Sequence, residues 1–83
     1  MEGFTRNTAR FFLGKNVNLH LKDGSVIVNV QLAEIQKDDL NGEVFVKCVP
    51  YGNGNMLKIP LRSIAWAKLL DLNMIETRGK QGG

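Results

Sequence analysis

The stretch Phe12-Leu13-Gly14-Lys15-Asn16-Val17-Asn18-Leu19-His20-Leu21-Lys22-Asp23-Gly24 decides the fold, because the spacing of apolar residues changes within it. Upstream of it, Phe4, Thr8, Phe11 and Phe12 fall at i, i+4, i+7 and i+8 around Arg6, Asn7 and Arg10. That is the stripe of a short amphipathic helix over about residues 4–13. Gly14 suits a left-handed terminator, and Lys15 sets a cation beside the negative helix end. A helix of about ten residues is marginal alone, so its Phe face must dock on something. Downstream, Val17, Leu19 and Leu21 alternate with Asn16, Asn18, His20 and Lys22, the pattern of a half-buried strand, and Asp23-Gly24 is a hairpin signal.

The rest of the chain continues with a period of two. Val26 to Ile35 supply a second strand of about ten residues, long for a strand, with Asn29 a place for a bend. Lys37 to Gly42 form a polar turn. Val44, Phe45, Val46, Cys48 and Val49 then make a third strand, apolar on both faces and therefore central, one face inward and the other under the helix. After the turn Tyr51-Gly52-Asn53-Gly54-Asn55, Met56 to Ile59 form a fourth strand ended by Pro60. A tight corner runs to Ser63, and Ile64 to Leu70 read as a fifth strand whose last residues suit a helix equally well. Leu72-Asn73-Met74-Ile75 suit packing on a neighbour, and residues 77–83 read as a polar, mobile tail. The expected fold is mostly β: one domain over residues 1–83, with an N-terminal helix and a strongly bent, five-stranded antiparallel barrel over about residues 15–70.

Composition narrows the functional classes. With 83 residues the core is modest, which makes self-association an early expectation. A net charge of +3 permits polyanion binding without demanding it. One Cys and one His cannot supply a structural zinc site or an internal disulfide, so neither metal nor cofactor is expected. No apolar run reaches the roughly 18 residues of a membrane span, the N-terminus lacks a signal peptide's apolar middle, and the lone Cys48 fits a reducing compartment; the expected location is the cytoplasm. No acid, base and nucleophile stand at a recognisable spacing, so the chain does not read as an enzyme. His20 reads as a surface residue and Cys48 as core. Trp66 reads as core or interface, and Gly52-x-Gly54 as a hairpin turn rather than a phosphate loop.

Residues 12–24 resemble the opening of the first Sm motif of Sm and Sm-like (LSm) proteins, in which a short helix leads into an alternating strand ending Lys-Asn/Asp-Gly. Element order and the long second strand extend the resemblance over roughly residues 4–70. The chain departs from the family pattern at three places: Asn29 stands where a Gly is usual, Asp38, Asp39 and Asn41 are spaced differently from the usual Asp and Asn of the loop, and Leu61-Arg62-Ser63 keeps the arginine of Ile/Leu-Arg-Gly but not its glycine. Lys58 to Ile64 also resemble the corner before the last strand of Hfq-type host factors, without the His of their Lys-His motif. The resemblance implies a ring of about six or seven subunits, the fourth strand of each pairing with the fifth of the next, and binding of single-stranded RNA. Physical reasoning supports assembly independently, since unpaired edges flanked by Met56, Leu57, Ile59, Ile64, Trp66 and Leu69 are an aggregation hazard that a closed ring of copies removes.

Candidate binding residues follow. Arg62 can offer its planar fork to a phosphate or stack on a base, the alternative being an ion pair. Asn41 can read a base edge, the alternative being a plain Asn-Gly turn. Asp38, Asp39 and Glu43 make that loop acidic, which repels a phosphate chain unless the bases face it. Tyr51 can stack on a base or simply cover the end of the barrel. Arg6, Arg10 and Lys15 offer a second basic surface, or a solvated helix face. Two functions emerge: a homomeric ring that binds single-stranded RNA without chemistry, or a structural or protein-interaction oligomer of the same fold that has lost RNA binding.

Overall fold

A computed structural model describes residues 3–52 and 54–70. Helix α1 (Arg6–Phe11) is followed by β1 (Asn16–Leu21), β2 (Val26–Lys37), β3 (Val44–Pro50), β4 (Leu57–Pro60), a single 3-10 turn (Leu61–Ser63) and β5 (Ile64–Leu69). The strands form one five-stranded antiparallel sheet in the order β4-β3-β2-β1-β5, so among the described residues β4 and β5 each leave an edge unpaired. The segments expected at 72–75 and 77–83 lie outside the described residues. Among those described, no helix is long and apolar enough to cross a membrane.

The β1–β2 hairpin forms where Asp23-Gly24 places it. Gly24, at φ +95°, donates its N–H to the Leu21 carbonyl at 3.0 Å, while Leu21 N–H reaches Ser25 O at 2.9 Å, which closes a three-residue loop. Asp23 Oδ1 accepts from the Ser25 hydroxyl (2.6 Å) and the Ser25 N–H (2.9 Å). Those bonds, the hydroxyl's first, hold its carboxyl below the usual aspartate range.

β2 bends at Asn29, the one described non-glycine residue with positive φ, at +53°. Val17 pairs with Val30 but Leu19 with Ile27, so Val28 and Asn29 together oppose Asn18, and the strand bulges. Asn18 Oδ1 accepts the Asn29 N–H at 2.8 Å, and Asn29 Oδ1 accepts from Asn16 Nδ2 at 3.1 Å. Side chains from β1 thus pair with the backbone and the side chain of the bulged residue. A second register slip between Leu32 and Glu34 lets β2 turn again against β3. Alternation on this bent sheet gathers Val17, Leu19, Val30, Leu32, Val46, Cys48 and Ile64 into a core with no solvent exposure. Each such aliphatic side chain contributes about 1.5–3 kcal/mol.

The helix is shorter than its apolar stripe suggested. Thr5 caps it, its hydroxyl accepting Thr8 N–H at 3.2 Å, so Phe4 precedes the helix and Phe12 closes it. The docked surface is Phe4, Ala9 and Phe12, with the Phe4 and Phe12 rings stacked at 6.2 Å. Thr8 is exposed and Phe11 is 64% exposed, which corrects the expectation that both face the core. The helix also rests against β2 rather than covering β3. Gly14 (φ +80°) donates to the Leu32 carbonyl at 2.8 Å, and Leu32 N–H returns to Lys15 O at 3.2 Å, so the helix exit is fastened to β2. The outer side of β3 is shaded instead by cations: Lys58 lies 4.6 Å from the Phe45 ring centroid, and Lys47 Nζ is 4.0 Å from Glu34.

Burial pushes the Cys48 thiol up from 9.0 to about 11. An unfolded chain ionises this thiol first, so the stability it protects is fully present below pH 9.0 and is lost as the pH climbs through about 11. Urea midpoints should therefore fall more steeply for the native chain than for Cys48→Ala over that window. Parallel curves would show that the thiol titrates equally in both states.

Candidate functional site

The loop from Asp38 to Glu43 is tied to itself. Asp38 N–H donates to Glu43 O and Gly42 N–H to Asp38 O, both at 2.7 Å, while Leu40 N–H reaches Asp38 Oδ1 at 2.9 Å. Gly42 sits at φ +74°, a conformation glycine adopts without strain. Asn41 Oδ1 accepts Glu43 N–H at 2.9 Å, so its carbonyl serves the turn while its side-chain NH₂ has no partner among the described residues.

Antiparallel pairing of β3 with β4 sets Phe45 opposite Pro60, which carries the corner after β4 to the same end of the sheet as this loop. The corner is a 3-10 turn held by Ser63 Oγ donating to Pro60 O at 2.8 Å, and Lys22 N–H binds Ser63 O at 2.9 Å. Arg62 projects from it and forms an ion pair with Glu43, whose side chain is only 20% exposed. Both groups line an open cavity of about 500 Å³ together with Asn41 and the apolar side chains of Phe4, Val44 and Leu61.

Asn41 and Arg62 thus meet, as a joint role requires, and Glu43 joins them as the partner that sequence reading did not assign to Arg62. Tyr51 does not meet them. It is 77% exposed at the far end of β3, roughly 20 Å away along a seven-residue strand. Its N–H is bonded to Asn29 O at 3.0 Å, at the bulge.

Arg6 and Arg10 line a shallow groove of about 360 Å³ with Thr5 and Asn7, and Arg10 Nη1 donates to Asn7 Oδ1 at 3.4 Å. Thr5 lines this groove, and the preceding residue, Phe4, lines the cavity. Lys15 stands apart from it, 5.3 Å from the Phe11 ring centroid.

The residues expected at an oligomer interface divide by strand alternation. Met56, Trp66 and Leu69 are exposed and Leu57 is half-buried, whereas Ile59 and Ile64 face inward and belong to the chain's own core. Trp66, half exposed rather than core, stacks on His20 across the β1–β5 pair, with ring centroids 3.6 Å apart and planes 7° from parallel. That stack was missed because it depends on register: His20 and Trp66 pair directly only once β5 is aligned on β1.

No protein-family model, curated protein or solved structure matches this chain.

Proposed function

We propose that the chain is an Sm-like barrel subunit that assembles into a cyclic homo-oligomer and binds single-stranded RNA without doing chemistry on it. The observation that carries this reading is the convergence of Asn41 and Arg62, distant in sequence, on one open cavity lined by both apolar and polar side chains. A base inserts its ring against Phe4, Val44 and Leu61 while its edge meets the polar groups. Arg62 is already neutralised by Glu43, so the cavity suits an uncharged base, and phosphates follow the basic groove of Arg6 and Arg10. Positive φ at Asn29 supports the family resemblance, since asparagine is the residue after glycine that best tolerates a left-handed backbone. The two free sheet edges are unlike, so pairing between copies runs head to tail, and rotation between neighbours closes it into a ring.

Titration of labelled oligo-U and oligo-A at low and high salt tests the binding. Affinity should fall as salt rises, and Arg62→Ala should weaken it by about tenfold, the worth of one stacked or hydrogen-bonded base contact. Flat titrations at micromolar protein would overturn the RNA reading in favour of a structural or protein-interaction oligomer. The engagement of Arg62 by Glu43 beside Asp38 and Asp39 favours that second reading. Native mass should show a closed oligomer; a stable monomer in dilute solution would remove the ring.

A further inference from the structure

We infer that the cavity between Asn41, Glu43 and Arg62 selects guanine, an inference that rests on the RNA reading of the same site. Glu43 decides it. An ionised carboxylate is an acceptor only, with about four lone-pair sites on two oxygens. Arg62 takes Oε2, while Oε1 has no hydrogen bond among the described residues, and each oxygen keeps capacity for a further donor. The side chain lines the cavity and is largely covered, so the carboxylate does not swing freely in solvent.

A carboxylate of this kind fits an edge that offers two neighbouring donors. Among the four RNA bases, guanine alone does so, through N1–H and the N2 amino group. Uracil sets one N–H between two carbonyl oxygens, and one of these would face a carboxylate oxygen. Cytosine and adenine each offer one amino group beside an unprotonated ring nitrogen, with the same conflict. Guanine's remaining edge atom, O6, needs a donor, and the cavity lining has two: the Arg62 guanidinium and the Asn41 NH₂, whose own carbonyl is occupied by the Glu43 N–H. Donor and acceptor types thus match along the edge, and the mismatched bases each bring two acceptors face to face in a partly desolvated site.

Anisotropy titrations with the intact protein test this, using a fluorescein-labelled uridine pentamer, the same pentamer with a central guanosine, and one with a central inosine, which lacks only the N2 amino group. The guanosine pentamer should bind about tenfold more tightly than the uridine pentamer, and inosine should lose most of that gain. Glu43→Gln, which replaces one acceptor oxygen by a donor, should erase the preference between the guanosine and uridine pentamers. Equal or weaker binding of the guanosine pentamer, or a preference untouched by inosine, would overturn the assignment while leaving RNA binding intact. Binding of none of the three would overturn the RNA reading itself, and the guanine assignment with it. The inosine comparison uses the native chain, so it decides the matter even if Glu43→Gln fails to fold.

Discussion

Leu32→Ala should lower the unfolding free energy by about 3 kcal/mol, a large part of the total for a domain of this size. Leu32 is fully buried in β2 between the two register slips, paired with Cys48 on β3 and bonded through both its N–H and its carbonyl to the helix exit at Gly14 and Lys15. Backbone flanked on both sides cannot collapse into the space left by the lost carbons, so the cost includes a cavity as well as the transfer of the side chain. The urea midpoint should fall with little change in slope. Leu40→Ala is the control: Leu40 is 97% exposed, and its truncation should stay within about 0.5 kcal/mol. Equal effects of the two variants would mean that Leu32 does not sit at the centre of the core.

At the β2 bulge, opposite outcomes are expected for two substitutions at one position. Asn29→Val should cost about 2 kcal/mol, because a β-branched side chain is strained at φ +53° and because the bond from Asn16 Nδ2 loses its acceptor. Asn29→Gly should be nearly neutral, within about 0.5 kcal/mol, since glycine relieves backbone strain while forfeiting the same side-chain bond. The Asn29 N–H to Asn18 Oδ1 bond survives in both. Thermal melts or urea titrations of the pair settle the sign. A valine tolerated as well as glycine would mean that the strand passes this point without a left-handed residue.

The strands and tight turns were legible because alternation and glycine position are local properties. Val17-Asn18-Leu19 announces a half-buried strand whatever lies elsewhere, and Asp23-Gly24 needs only its own backbone to turn. Asn29 was legible as a bend for the same reason. Phe11 was misread because a period of 3.6 shows which residues share a face but not where a cap ends the helix; with Thr5 as cap and a six-residue helix, Ala9 takes the contact expected of Thr8 and Phe11. Ile59 and Ile64 were grouped with edge residues by composition, although alternation with the exposed Lys58 already pointed Ile59 inward. The meeting of Asn41, Glu43 and Arg62 was not legible, because it depends on the register that sets Phe45 opposite Pro60. No local spacing encodes that register.

Trp66 is the chain's single tryptophan, and it stands half exposed on an edge strand with an imidazole laid against one of its faces. The protein therefore carries its own optical probe at the border where another copy would pair. Indole emission moves to shorter wavelength when water is excluded from the ring, so dilution of the unlabelled chain would register any covering of that border as a concentration-dependent colour change. Denaturation would part the indole from His20 and give a second, separable signal from the same chromophore.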